Sequence, residues 1–420
     1  MRLVSFSHFA LASAFALAAV GCGGELACDG SEDDAQVTVD AKMDGDVVLM
    51  DSAANADGGG GDVGVDAPLD ASSCPARAPT GTLSTAFQID SAHTGAQPGD
   101  VVASPLCRRW QRDFITYAGG NTFAPLILPG RVVAIDRGDV YALNPDDGAT
   151  LWGPSPMDAR ELASDGSWVF VESGSGYVAA LDAATAHVEW QVPRFPDQSL
   201  GLMTVDNGSL VISLLDGAYA LDAHDGHLLW QQSTLPFTCA AGAMRASVAY
   251  VVCPNQVVLA IDAVTGQVQW QHPYVQNGPA VSLKQPVVAT ASRLLLPDFG
   301  GSHLLTIDMS NGNVTQTAVP AYLGPAVSAT AVFVLTFAGL EAWSSDLSQL
   351  LWSFQGDGSL YGAPILVGSQ VVIGSAAHLY LLDAATGALV SQDTLTAPPT
   401  ALAEADGALL VATSDGLFAY

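Results

Sequence analysis

The amino-acid sequence predicts an all-β fold: an eight-bladed β-propeller of four-stranded antiparallel blades, the last of which is closed by an N-terminal strand. Three observations predict it: a composition suited to buried strands and tight turns, a pattern that returns about every 40 residues, and incomplete copies of that pattern near both ends. Of the 420 residues, 49% are hydrophobic, 13% are charged and 42 are glycines. A disordered chain would carry fewer apolar residues.

The repeated pattern is a β-branched run, a turn, an apolar triplet that ends in Asp, a second turn and then Trp. The Asp position recurs at intervals of 38, 40, 40, 46, 36 and 39 residues, at Asn144, Asp182, Asp222, Asp262, Asp308, Ser344 and Asp383. In every copy that ends in Trp, the Trp lies eight residues after that position, at Trp152, Trp190, Trp230, Trp270 and Trp352. An interval near 40 residues, built from short strands, is the size of one propeller blade.

The residue types fit this geometry. An Asp at the end of a strand can accept backbone N–H groups from the following turn, and the glycine after it tolerates a positive φ. The Trp on the outer strand offers a large apolar face and one N–H donor. We therefore expect the Asp to shape a hairpin and the Trp to fill the wedge between neighbouring blades.

The two ends of the chain complete each other. An eighth copy begins at Ala408 and stops at Tyr420, one residue before its Asp position. Residues 107–114 contain an outer-strand pattern and Trp110 but no preceding strands. We therefore predict that the segment around Trp110 supplies the fourth strand of the last blade, which removes an exposed sheet edge.

These residues resemble a known family. The L-D-x-x-T-G-x-x-x-W pattern is similar to the repeat of PQQ-type quinoprotein propellers, and DSAHTGA at residues 90–96 resembles the segment that precedes the first blade in many PQQ-like repeat proteins. Among these, an eight-bladed, lipid-anchored propeller of this size is similar to the BamB family of accessory lipoproteins of outer-membrane protein assembly. The resemblance implies a monomeric binding or scaffolding module whose partner is a protein, with the outer-membrane assembly machinery as the candidate.

The chain is expected to divide into a signal peptide (residues 1–21), an Asp/Gly-rich flexible linker (22–84) and the propeller (85–420). Arg2 and an apolar run at 9–20 form a secretory signal that is too short to be a mature membrane span. A-V-G-C at 19–22 resembles a bacterial lipobox with Ala in place of Leu, so Cys22 is the expected lipidation site. Cleavage as a plain signal peptide stays open. Both alternatives export the protein to the cell envelope, with the outer membrane favoured, facing the periplasm or the cell surface.

Charge excludes one class of partner. The formal net charge is -29, so the summed field repels nucleic acid. Residues 22–72 hold 13 acidic residues and one lysine, which predicts a solvated stalk. The D-G-D sequence at 44–46 does not continue into a calcium-binding loop.

No residue stands out as catalytic, cofactor-binding or metal-ligating. The adjacent cysteines and haem-attachment motif of quinoprotein dehydrogenases are absent from the sequence, so no residue supports PQQ as a cofactor. A PQQ-binding oxidoreductase remains the alternative function. His224 and His227 form H-x-x-H but flank a D-G turn, so we interpret them as exposed turn residues. His93 is expected to pack or hydrogen-bond within the DSAHTGA segment.

Two groups of residues carry further hypotheses. Cys239 with Cys253, and Cys74 with Cys107, are candidate disulfides in an oxidising compartment, although buried free thiols stay open for all four. Arg108, Arg109 and Arg112 form the densest basic cluster, around Trp110. They are candidates for partner contact, and the alternative is a solvated edge that pairs with nearby carboxylates.

Overall fold

The structure is a computed structural model. It describes residues 74–114, 117–118, 121–122, 124–193, 203–214, 217–233, 241–253, 257–273, 287–297, 303–321 and 323–420. Contacts between Cα atoms divide the chain into Met1–Asp62 and Val63–Tyr420, and every described residue belongs to the second unit. Within those ranges no helix has the length and apolar character needed to cross a membrane.

The described residues form eight four-stranded antiparallel sheets, the blades, numbered along the chain with the strand nearest the centre first. Blades 1 to 4 comprise Leu126–Leu128, Arg131–Asp136, Asp139–Leu143 and Thr150–Pro156; Ala159–Ser164, Trp168–Ser173, Tyr177–Asp182 and Val188–Pro193; Met203–Asp206, Ser209–Leu214, Gly217–Asp222 and Leu228–Ser233; Ala241–Arg245, Val248–Cys253, Val257–Asp262 and Val268–Pro273. Blades 5 to 8 comprise Val288–Ala289, Arg293–Pro297, Leu304–Asp308 and Val314–Gln316; Ala326–Val327, Ala331–Thr336, Gly339–Ser344 and Leu350–Phe354; Leu360–Val367, Gln370–Ser375, His378–Asp383 and Leu389–Thr394; Pro399–Ala405, Ala408–Thr413, Leu417–Ala419 and Trp110–Arg112. The predicted fold class is confirmed.

Blade 8 is the composite blade that the sequence predicts. Its outer strand, Trp110–Arg112, pairs antiparallel with Leu417–Ala419, so that Trp110 lies opposite Ala419 and Arg112 opposite Leu417. Outside the blades, Ala96–Gln97 adds a parallel strand to the inner edge of blade 7, and Tyr117–Ala118 forms a two-stranded hairpin with Asn121–Thr122.

The hydrophobic core consists of eight buried clusters among the described residues, each shared by two consecutive blades. The cluster between blades 8 and 1 contains Trp110, Tyr141 and Leu410. Every blade buries both faces against its neighbours, so its inner strands are apolar on both sides. Along the outer strands, exposed positions alternate with buried or half-buried ones. The clusters therefore run round the complete ring.

The tryptophans connect the blades at their joints, meaning the contacts between one blade and the next. At six joints the indole N–H donates to the backbone oxygen of the residue that follows the Asp position in the next blade, at 2.8–3.0 Å: Trp110 to Pro145, Trp152 to Ala183, Trp190 to Ala223, Trp230 to Ala263, Trp270 to Met309 and Trp352 to Ala384. The predicted role of Trp is confirmed, and its polar atom is satisfied at the same time as its ring fills the wedge.

The Asp side chains shape the turns as predicted. The Asp182 carboxylate accepts the backbone N–H of Thr185 at 2.8 Å, and the Asp262 carboxylate accepts that of Thr265 at 2.8 Å. These hydrogen bonds hold the pKa of Asp262 below its usual range. Each Asp thereby fixes the loop whose carbonyl receives the preceding blade's tryptophan.

Candidate functional site

One face of the propeller is crossed by residues 84–100, which we call the crossing segment. In each blade the turn from the first to the second strand and the turn from the third to the fourth lie on the same edge of the sheet, because the strands are antiparallel. We call that edge of the ring the crossing face. The crossing segment lies there, against the C-terminal ends of the inner strands.

Hydrogen bonds join the crossing segment to seven of the eight blades, in order along the chain. They connect Ser84 with Ile127, Thr85 with Ser164, Ser91 with Met244, Ala92 with Ala289, Thr94 with Val327, Gly95 with Leu366, and Asp100 with Gly407. The seven bonds between backbone groups of these pairs, two of them between Ser84 and Ile127, measure 2.7–2.9 Å, and the Asp100 carboxylate accepts the Gly407 N–H at 3.1 Å. The segment therefore follows the inner strands around most of the ring on this face.

His93 lies at the middle of the crossing segment and is completely buried. Burial lowers the pKa of His93 to about 4, so its imidazole is neutral at physiological pH. Asp90 accepts the Thr94 N–H at 2.9 Å and the Thr94 hydroxyl at 2.7 Å. The D-x-A-H-T sequence thus folds into a local turn that places a neutral histidine inside the ring.

Residues 74–83, which precede the crossing segment and which we call the strap, connect blade 8 to blade 1. Arg77 forms ion pairs with Asp406 at 2.7 Å and with Asp146 at 2.8 Å, and its side chain is only 7% exposed. The Asp406 carboxylate also accepts the backbone N–H groups of Thr80 and Gly81 at 2.8 and 2.7 Å. These residues fall in the stretch that the sequence analysis assigned to the linker, and in the structure they are bonded to the propeller.

A disulfide joins Cys74 to Cys107, with 5.6 Å between the Cα atoms. It links the strap to the residues just before Trp110–Arg112, the outer strand of blade 8. This is the pairing of Cys74 with Cys107 that the sequence suggested. The lipidation of Cys22 and the pairing of Cys239 with Cys253 concern Cys22, Cys239 and the side chain of Cys253, all of which lie outside the described residues.

Three carboxyl groups meet beneath the strap: Asp100, Glu404 and Asp406. Asp100 accepts the hydroxyl of Thr80 at 3.0 Å and also that of Thr82. Glu404 is fully buried, and burial, reinforced by the charges of Asp100 and Asp406, raises its pKa to about 9. The Glu404 carboxyl is therefore protonated at neutral pH, and sequence spacing alone gave no sign of this cluster.

The basic cluster around Trp110 is divided between different contacts. Arg108 donates to the Asp393 carboxylate at 2.9 Å, and its guanidinium carbon lies 4.7 Å from the centre of the Phe418 ring. Arg112 is buried and donates to the Gly148 carbonyl at 3.1 Å. Arg109 is half-buried, forms no ion pair within the described part of the chain, and burial lowers its pKa. Two of the three arginines thus serve the closure of the ring.

The two histidines of the H-x-x-H motif lie in the third turn of blade 3 and are both exposed. The His224 ring stacks on Trp168 with 5.3 Å between ring centres, and His227 Nδ1 lies 2.5 Å from the Asp225 carboxylate. Asp222, Asp225 and His227 bring their ligand atoms within 4.8 Å of one another. Asp222 already accepts the His224 N–H at 2.7 Å, so the group is accounted for as an exposed turn.

Sequence reasoning missed a cleft on the crossing face between blades 4, 5 and 6. It has a volume of about 490 Å³ and is lined by Arg245, Arg293, Asp346 and serine and threonine hydroxyls, with Thr94 of the crossing segment at its base. Arg245 ends the inner strand of blade 4 and Arg293 begins the second strand of blade 5. Aligning the repeats would have placed both arginines on this edge, which is the signal that the sequence offered.

A ring of eight blades, joined by tryptophans and closed by an N-terminal strand, defines a propeller of the PQQ-like repeat class. A family profile described as outer membrane protein assembly factor BamB matches residues 136–393. The chain belongs to this family, and the resemblance stated from the sequence is confirmed.

A curated relative, outer membrane protein assembly factor BamB of Moranella endobia (strain PCIT), is 25% identical over 211 residues, which cover 45% of this chain and 53% of the relative. The chain therefore spans about half the length of the curated relative that it matches.

Two solved structures share the fold. BamB from Moraxella catarrhalis aligns with a TM-score of 0.58 and 20% identity, covering 71% of this chain and 92% of that chain. Quinohemoprotein alcohol dehydrogenase from Comamonas testosteroni aligns with a TM-score of 0.63 and 15% identity, covering 83% and 81%. At these identities the likeness concerns the fold alone, because a propeller supports both binding proteins and enzymes.

Proposed function

We propose that this chain is a non-catalytic binding module of the bacterial cell envelope, exported, lipidated at Cys22 and held at the outer membrane, where its propeller holds a protein partner in a BamB-like role. Membership of the BamB family carries the proposal. The crossing segment supports a loop-mediated mode of binding, because it is hydrogen-bonded to the inner strands and leaves the outer turns of this face for contact. The protein is expected to act as a monomer on its acidic stalk, with Arg109 among the partner contacts.

Co-purification from envelope membranes tests the role. A tagged chain is expected to recover components of the β-barrel assembly machinery, and a Cys22→Ala variant is expected to lose both metabolic labelling by a palmitate analogue and the membrane fraction. Cys28→Ala is the matched control, since it removes another cysteine of the same segment. Recovery of no barrel-assembly component with the wild-type chain would reject the partner, whereas unchanged labelling of Cys22→Ala would reject the anchor.

The second candidate, a PQQ-dependent oxidoreductase, draws on the likeness to quinohemoprotein alcohol dehydrogenase. Among the described residues, the crossing segment offers a quinone no free ligand, because it is hydrogen-bonded along the inner strands and its His93 is completely buried. Adding PQQ and Ca²⁺ to the purified chain is expected to give neither a thermal shift nor dye reduction with alcohols. A saturable shift accompanied by dye reduction would favour the enzyme.

A further inference from the structure

The cleft between blades 4, 5 and 6 holds two guanidinium groups with few partners. Arg293 forms no hydrogen bond through its side chain and no ion pair within the described residues, although it is half-buried and burial lowers its pKa. Arg245 donates one long hydrogen bond, 3.4 Å, to the Ala289 carbonyl. Guanidinium groups that are partly removed from water are ordinarily paired, because each carries five N–H donors. Most of those donors have no partner among the described residues, and both arginines line the cleft.

The remaining lining groups suit an acceptor-rich ligand. The hydroxyls of Ser292 and Ser345 form no hydrogen bond with any described residue, so both can donate into the cleft. Asp346 is the one acidic residue of the lining, and hydrogen bonds from the Ser344 and Ser348 hydroxyls hold its pKa at about 2. The lining therefore combines two positive charges with one negative charge.

We propose that this cleft binds a carboxylate group, held between Arg245 and Arg293. A carboxylate matches the planar fork of a guanidinium and carries a single charge, which balances the net charge of the lining. A phosphate dianion would bring a second negative charge against Asp346, so it fits less well. The volume is within the range of small-ligand pockets, and it admits a side chain or a chain end as readily as a small organic acid. The proposal goes beyond the outer-membrane role and does not depend on it.

Three probes, each of which carries a carboxylate, distinguish a side chain, a chain end and a small organic acid as the ligand. The first is a short peptide with one Asp and an amidated C-terminus, labelled with a BODIPY dye that carries no carboxylate; the second has Asn in place of that Asp and a free C-terminus; the third is propionate, a monocarboxylate used as a competitor. Fluorescence anisotropy with the full chain is expected to show saturable binding of at least one of them, which weakens with added salt. Inorganic phosphate is expected to compete less well than propionate at equal concentration, because its dianion brings a second negative charge against Asp346.

Substitutions locate the binding. Arg293→Gln and Arg245→Gln are each expected to weaken binding by about tenfold or more. Arg137→Gln is the matched control, because Arg137 is an exposed arginine in a turn of blade 1 and its loss changes the net charge equally. Asp346→Asn removes the opposing charge and is expected to strengthen binding by about two- to fivefold, a gain that misfolding cannot produce. Binding of no carboxylate probe, binding unaffected by both arginine substitutions, or tighter binding of phosphate would each overturn the proposal.

Discussion

Six joints of the ring use a tryptophan, and the joints after blades 5 and 7 do not. The residues at the Trp position are Gln316 in blade 5 and Ser391 in blade 7. At both exceptions, the next blade lacks the usual turn between its third and fourth strands. A tryptophan needs a carbonyl oxygen and a flat surface across the joint, and in both exceptions the loop that supplies them is altered.

At the joint between blades 5 and 6, the turn of blade 6 has a different shape. Elsewhere the residue four positions after the Asp takes a positive φ and the preceding tryptophan lies over it, as Trp230 lies over Gly266. In blade 6 the positive φ falls one residue earlier, on Leu347, and this side chain is buried in the cluster between the blades. The leucine therefore takes the space that a tryptophan fills at other joints.

At the joint between blades 7 and 8 the corresponding turn does not exist, because the third and fourth strands of blade 8 come from opposite ends of the chain. Arg108 bridges the gap: it binds Asp393 on the outer strand of blade 7 and donates to the Tyr420 hydroxyl at 3.2 Å. At this joint the apolar cluster is kept, and an ion pair of Arg108 takes the place of the tryptophan hydrogen bond. Salt and pH should therefore change the contribution of the closing region to the free energy of unfolding and leave that of the tryptophan joints unchanged.

The largest expected effect is the loss of a joint tryptophan. Trp230 is buried and bonded across the joint, so Trp230→Ala should lower the free energy of unfolding by about 3–5 kcal/mol. Trp343→Ala is the matched control: this indole is half-buried and donates within its own strand, to Glu341. We expect a loss of about 1–2 kcal/mol there. Urea unfolding followed by circular dichroism measures both, and equal losses would contradict the special role of the joints.

The second prediction concerns pH in the closing region. Glu404 is protonated in the folded protein up to about pH 9, whereas an unfolded glutamate ionises near its ordinary pKa of 4.5. The folded state therefore binds more protons between these values, and this group makes stability fall with rising pH by about 1 kcal/mol per pH unit.

Glu404→Gln keeps the shape of the neutral acid and should flatten that dependence between pH 5 and 8, as thermal unfolding at several pH values would show. Glu189→Gln, at an exposed position of blade 2, serves as the control and should leave the slope unchanged. If the slope of Glu404→Gln equals that of the wild type, Glu404 is not protonated in the folded protein.

The third prediction tests the surface under the indole. A Cβ added at Gly266 would lie 2.5 Å from Trp230 atoms, whereas one at Gly208 meets nothing within 4 Å, and both residues have positive φ. Gly208→Ala should cost about 1 kcal/mol from the backbone alone, and Gly266→Ala about 2 kcal/mol more. Blade 2 has Ala186 at the equivalent position, where φ is also positive.

Coupling between the two sites is the decisive measurement. In a Trp230→Ala background, Gly266→Ala should lose its excess cost and approach that of Gly208→Ala. An unchanged excess would mean that the indole is not the group that the methyl meets.

The sequence was sufficient to predict the blades, because the Asp and Trp positions form the same turn and the same joint contact in most repeats. Closure followed from the same pattern, since a lone Trp110 implied strands elsewhere. Aligning the repeats places Arg245 and Arg293 on the same edge of the ring, but it does not show that they line one cleft, because they are 48 residues apart and belong to different blades. The protonation of Glu404 depends on its burial beneath the strap. The strap lies outside the repeats, so the repeat pattern did not predict its bonds to the propeller.

The smallest expected effect distinguishes charge from stacking at the closing joint. Arg108 contributes an ion pair that is largely buried and also contacts the Phe418 ring, so Arg108→Gln should lower the free energy of unfolding by about 1–2 kcal/mol. If charge dominates, the difference between wild type and variant should shrink as NaCl rises from about 0.05 to about 1 M, while the difference for Trp230→Ala stays constant. Arg108→Lys should then retain most of the stability. A difference that salt does not change would show that ring stacking holds this joint, and the contrast between apolar joints and a charged closure would fail.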